Sequence, residues 1–195
     1  MRVIGRSAEI IFSVRPKKAF TAEFAEDCRS SDFFGTEDFT LQFRLAAIQD
    51  AEGITALINA AFRKAESFFI DGDRIDTESV RSLMDRGQFL VADKNGNFSG
   101  CIYVEFRGQR AYLGLLSVDP QLQKTGMGSA LLKAAEEQCA NAGCSFVDLR
   151  TVNLRTDNRA FYGRRGYVES GTEPFPAELT PKLACHFVNM SKRLG

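Results

Sequence analysis

The chain has 195 residues and a mass of 21.6 kDa, of which 44% are hydrophobic, enough to bury a sizeable core and most simply one domain. Lysine plus arginine equals aspartate plus glutamate at 25 each, so there is no global basic field for nucleic acid or an anionic membrane, and a polyanionic partner must be small and locally bound. No apolar run reaches the roughly 18 to 20 residues that span a bilayer, and no signal peptide is evident; a soluble cytoplasmic protein is expected.

Residues 1–20 hold five basic side chains and one acid, and residues 21–40 hold one base and six acids. That asymmetry predicts an N-terminal arm over residues 1–38, extended or partly disordered, ahead of a regular domain at 39–195. From Phe39 the alternation in FTLQFRLA predicts a strand. Gln49 and Asp50 then open a helix through AEGITALINAAF, and TESVRSLMDRG predicts a second helix capped by Thr77. QFLVAD, a turn at 94–97 and FSGCIYVEFRG read as a hairpin that leads into a further strand over 111–118, closed by Asp119-Pro120.

Residues 121–143, QLQKTGMGSALLKAAEEQCANAG, follow that strand. Leu131, Ala135, Cys139 and Ala142 recur at helical spacing, Leu132 widens the stripe, Glu136 and Glu137 face away, and Gly143 is a natural stop. Gly126 and Gly128 are costly as helix interior, about 1 kcal/mol each relative to alanine, and read as an entrance. A helix start bared by glycines is an anion site, because its first amides lack intrahelical partners and the dipole adds positive charge. After Gly143, SFVDLRTV reads as a buried strand, TDNRAFYGRRGY as a short helix, the Pro-rich segment 172–181 as a loop over the sheet edge, and CHFVNMSKRL as a final strand. The order is α/β with one central sheet, and the glycine loop sits at a strand's carboxyl end, where open sheets bind ligands.

Neither the Walker pattern nor the dinucleotide fingerprint fits, since Gly126-Met127-Gly128 is followed by Ser129-Ala130-Leu131. What fits is Q-x-x-G-x-G, met by Gln123, Gly126 and Gly128, joined about 35 residues later by Y-x-x-x-G-[FY], met by Tyr162, Gly166 and Tyr167. Over residues 40–192 the chain resembles the GNAT superfamily of acyl-CoA N-acyltransferases. The resemblance implies a central mixed, mostly antiparallel sheet flanked by helices, and acetyl transfer from acetyl-CoA directly to an amine acceptor, small molecule or peptide, without a metal. It implies that the backbone of Leu116, Ser117 and Val118 pairs with the pantetheine arm, and that Gln123 and the amides of Lys124, Thr125, Gly126, Met127, Gly128 and Ser129 serve the pyrophosphate. It also implies that Tyr162 protonates the departing thiolate. Main-chain pairing to an unpaired strand edge and a phenol of pKa about 10 suit those roles.

The chain departs from the family at Arg155, where an Asn seven residues before the tyrosine is common; the nearby amides Asn153 and Asn158 are expected to contact the cofactor instead. No glutamate stands on the strand before the glycine loop, which leaves Glu105, Tyr112 or a water chain as bases. Phe68 and Phe69 beside Asp71, Asp73 and Asp76 suit an amine, or else form a solvated acidic loop with two core aromatics. His186, the single histidine, reads as structural, and the five cysteines, Cys28, Cys101, Cys139, Cys144 and Cys185, lack metal spacing and read as reduced, mostly buried thiols. A monomer or homodimer is expected, and a non-catalytic acyl-CoA-binding regulatory domain of the same fold is the rival reading.

Overall fold

The computed structural model describes residues 42–94, 97–176 and 178–195. The expected arm and the start of the first strand at Phe39 lie outside them. The described residues form β1 (Gln42–Leu45), α1 (Ala51–Glu66), α2 (Thr77–Arg86), β2 (Gln88–Lys94), β3 (Asn97–Arg107), β4 (Arg110–Val118), α3 (Met127–Asn141), β5 (Phe146–Val152), α4 (Thr156–Gly163), β6 (Val168–Pro174) and β7 (His186–Arg193). The sheet order is β1-β2-β3-β4-β5-β7-β6; β4 and β5 are parallel and every other pair is antiparallel. Among the described residues no helix is long and apolar enough to cross a membrane.

Alternation along β2 and β3 splits the core between two layers, because successive side chains of a strand point to opposite faces. Leu90, Ala92, Ile102 and Val104 meet Leu131, Leu132, Ala135 and Cys139 of α3 on one face. Phe89, Val91, Cys101 and Tyr103 meet Ile54, Leu57 and Ile58 of α1 on the other. A third cluster of Phe69, Val152 and Phe187 anchors the segment after α1.

The helix ends differ from expectation in instructive ways. Asp50 precedes α1, but its carboxylate accepts from Arg44 at 2.6 Å and from the Ala47 amide at 2.8 Å instead of capping the helix. The cap of α2 is Asp76, which accepts the Ser79 amide at 2.7 Å, and not Thr77, already inside the helix. At the far end of α3 the expected stop holds: Gly143 has φ +86°, its amide donates to Ala140 O, and the Cys144 amide donates to Cys139 O, the two reverse bonds of a Schellman ending. Glu136 does not simply face away. It accepts from the Tyr167 hydroxyl at 2.8 Å and from Lys192 Nζ, tying α3 to β7 and to the chain just before β6.

The segment expected to be a loop from Thr172 begins as an edge strand: β6 pairs with β7 from Val168↔Ser191 to Pro174↔His186. Proline is tolerated at such a strand end because an edge leaves one side of the backbone unpaired.

Candidate active site

The feature that creates the site is a parting of two parallel strands. β4 pairs with β5 only at Arg110↔Phe146, Ala111↔Val147 and Tyr112↔Asp148. Beyond that, β4 carries a bulge: Cys101↔Ser117 and Tyr103↔Gly114 leave one extra residue on β4, and Leu115 takes φ +50°. A left-handed leucine is unfavourable by about 1 to 2 kcal/mol, so the surrounding sheet must over-determine it. The consequence is that Leu116, Ser117 and Val118 swing away with the edge towards β5 unpaired.

The glycine loop then closes the end of this opening. Gly126 precedes α3 in the left-handed region at φ +94°, and Lys124 lies at φ +67°. The amides of Met127 and Gly128 begin the helix and have no intrahelical acceptor. The Ser129 amide does have one, since it donates to Gly126 O at 2.9 Å, and so is less available than its place in the motif implied. Gln123 Nε2 donates to Val118 O at 3.3 Å and thereby pins the loop to the end of β4. Thr125 spends its hydroxyl on Leu122 O, and Met127 packs into the core below.

A cavity of about 630 Å³ lies between the β4 end, the glycine loop and α4. Two of its walls are cationic and were missed from sequence. Arg165 donates to Phe161 O at 2.7 Å and to the Ser129 hydroxyl, and its guanidinium stacks 3.6 Å from the Phe161 ring centre. Arg164 lines the same cavity and has no ion pair among the described residues. The pair stands inside the aromatic motif, so consecutive arginines after the tyrosine were the available signal.

A second cavity of about 820 Å³ opens on the β5 and β7 side, and Phe62, Leu116, Asn158 and Tyr162 line both. Tyr162 is therefore placed where the two meet. Its ring packs edge-on against Phe161 and Tyr167, and its hydroxyl makes no hydrogen bond among the described residues. Burial pushes its pKa up to about 12, against the weaker pull of Arg155.

The two amides part company. Asn158 lines both cavities, with Oδ1 accepting from Arg155 at 3.0 Å and Nδ2 facing Thr151 Oγ1 at 3.4 Å. Asn153 lines neither; its Oδ1 accepts the His186 amide at 2.9 Å and joins the end of β5 to β7, so the cofactor role expected for it is not where the structure puts it. Arg155 is clamped by Asp157 through two contacts of 2.9 Å and lies 3.7 Å from Glu66.

Of the bases considered, Glu105 accepts from Arg107 at 2.9 Å and from Tyr103 at 3.1 Å, and Arg107 holds its carboxyl below the usual range. Tyr112 lines the larger cavity beneath the Arg107 guanidinium. Glu66 was not considered, although it extends the apolar stripe Ile54, Ile58, Phe62 by one more i+4 step. It is buried in the wall of the larger cavity, and desolvation raises its pKa against the opposing pull of Arg74 and Arg155.

The acidic segment after α1 divides. Phe69 is fully buried and Phe68 is 52% exposed, while Asp71 pairs with Lys182 at 2.6 Å, Asp73 pairs with Arg63 at 2.8 Å and Asp76 caps α2. Cys101, Cys139 and Cys144 are buried free thiols whose pKa values burial raises.

Known proteins agree with this geometry. Residues 58–194 match the model of the acetyltransferase (GNAT) domain family. YdhI of Bacillus subtilis, an uncharacterized protein, is 30% identical over 95 residues, covering 49% of this chain and 58% of that protein's length. The aminoalkylphosphonate N-acetyltransferase of Salmonella typhimurium is 29% identical over 138 residues, covering 66% of this chain and 86% of its own. The crystal structure of the PaiA N-acetyltransferase of Thermoplasma acidophilum in complex with coenzyme A superposes with a TM-score of 0.65 at 17% identity, covering 80% and 99% of the two chains. The family model matches well over half of the sequence, and the chain accordingly belongs to the GNAT acetyltransferase family.

Proposed function

We propose that the protein transfers an acetyl group from acetyl-CoA to the amine of a small molecule or peptide, directly and without an acyl-enzyme. The observation that supports this most is the unpartnered Tyr162 hydroxyl at the meeting of the two cavities. The smaller cavity has the features a CoA thioester requires: an unpaired strand edge for an extended amide-bearing arm, and bare helix amides with Lys124, Arg164 and Arg165 for phosphate. The PaiA structure is a complex with coenzyme A, and the Salmonella relative is named for an acceptor that carries both an amine and a phosphonate.

The thioester supplies an activated carbonyl and a leaving thiolate. Leu116, Ser117 and Val118 hold the arm in register, the α3 amides fix its phosphates, and alignment of this kind accounts for effective molarities up to about 10⁵ to 10⁸ M. The amine attacks from the larger cavity, the C–N bond forms, and the C–S bond breaks. Tyr162 gives its proton to the sulfur, a transfer worth roughly 10² to 10⁴ in rate. The proton that the nitrogen loses passes to water in the larger cavity, since Glu105, held as a stabilised carboxylate by Arg107, is a poor base for it.

Release of free thiol from acetyl-CoA against a panel of amines and peptide N-termini tests the reading. Tight acetyl-CoA binding with no thiol released by any amine would instead leave a non-catalytic binding domain.

A further inference from the structure

Four carboxylates line the larger cavity and each lies against an arginine: Glu66 at 3.7 Å from Arg155, which it shares with Asp157, Glu105 at 2.9 Å from Arg107, Asp148 against Arg110 and Glu173 at 3.4 Å from Arg150. Two lining cations are left over. Neither Arg74 nor Arg86 has an ion pair among the described residues. The four arginines that line the cavity match its four carboxylates in number, but Arg74 and Arg86 have no carboxylate in contact with them, which favours a guest that brings one.

Arg74 is also built into place. Asn59, buried on α1, accepts the amides of Arg74 and Ile75 at 2.8 and 3.1 Å and donates to Ile75 O at 2.8 Å, so the loop backbone is fixed at this residue. The guanidinium sits 5.3 Å from the Phe62 ring centre, a residue common to both cavities. Its Nε–H is buried and finds no acceptor. An unmet donor on a buried guanidinium edge is unfavourable, and an oxyanion is the group that relieves it. Glu66 lines the same cavity as Arg74 and forms no ion pair with it among the described residues, so a short zwitterion can present its ammonium to one and its acid to the other.

On the reading that this is an N-acetyltransferase, we infer that its acceptor is a small amine bearing an acidic group, with Arg74 holding the carboxylate or phosphonate and Glu66 facing the ammonium near Tyr162. Peptide N-termini, whose neighbouring carbonyl is a neutral amide, fit this charge pattern poorly.

Calorimetry on the full chain with CoA present would compare glycine and aminomethylphosphonate with methylamine, S-methylcysteine with 2-(methylthio)ethylamine, and glycinamide as the peptide-like arm. Acidic amines should bind at least about tenfold tighter than their neutral partners, the worth of one charge-assisted contact. Arg74→Gln should erase that difference, Arg74→Lys retain part of it and Arg74→Glu reverse it, with unchanged melting curves certifying the fold. Equal affinity for acidic and neutral amines, or a preference that survives Arg74→Gln, overturns the inference. Thiol release is read separately: acidic amines that bind in an Arg74-dependent way without releasing thiol refute the transferase reading alone, whereas turnover of neutral amines with no gain from the acid refutes the acceptor class alone.

Discussion

Tyr162 and Glu66 are both buried polar groups, and burial moves each towards its neutral form against the pull of nearby arginines. For Tyr162 this has a kinetic consequence. With a pKa pushed to about 12, the hydroxyl keeps its proton across roughly pH 7 to 10 and can serve as an acid throughout. Tyr162→Phe preserves the ring contacts with Phe161 and Tyr167 while removing only the hydroxyl. The expected result is a fall in kcat of about 10² with acetyl-CoA affinity nearly unchanged, and a deficit of the same size at both ends of that pH range. Wild-type kcat in the variant, measured where chemistry limits turnover, would leave Tyr162 as a packing residue.

Helix entrances separate the glycines by role. Gly126 has open space where a Cβ would go, and its requirement is the left-handed φ of +94°. Gly128 is not in that region, and a Cβ there meets Val118 Cγ2 at 3.6 Å and Phe161 Cζ at 3.9 Å, ordinary contact. Gly128→Ala should thus fold at least as well as the parent, since alanine is favoured in a helix by about 1 kcal/mol, yet lower CoA affinity about tenfold by standing in the path of the phosphates. Gly126→Val should lose stability as well as affinity. Calorimetry paired with thermal melting distinguishes the two. At α2 the entrance is an Asp76 carboxylate whose pKa is lowered by the Ser79 amide. A depressed carboxyl contributes stability above its unfolded pKa and loses it as pH falls through the folded value. Asp76→Ala should therefore lower the melting temperature at neutral pH and make little difference in strong acid, while Thr77→Ala has a small effect at either pH.

Among the described residues, the three core clusters draw on positions 43–194. The sheet begins with β1 against β2, and Arg44 bridges Asp50 and Asp93 at 2.6 and 2.8 Å to lock that edge. Deletion of residues 1–38 is accordingly expected to leave a cooperatively folding domain with undiminished acetyl-CoA affinity, checked by thermal melting and calorimetry. A truncated chain that fails to fold would make the N-terminal segment part of the domain.

Local chemistry in the sequence was sufficient for what is local in the protein. The α3 stripe, the Gly143 stop, the β2–β3 hairpin and the Q-x-x-G-x-G loop each depend on residues a few positions apart, and each forms as read. The strand β6 was not legible, because Val168–Pro174 is exposed throughout and owes its conformation to pairing with β7. Asn153 and Asn158 are alike in sequence, and only the turn of α4 aims one at the cavities while the other holds β7. The acceptor side was the least legible. Glu66, Arg74 and Asn59 look like ordinary helix and loop residues until the chain folds and leaves one guanidinium edge without an acceptor. Which charges remain unmatched is a sum over contacts distant in sequence, and so only the tertiary structure decides it.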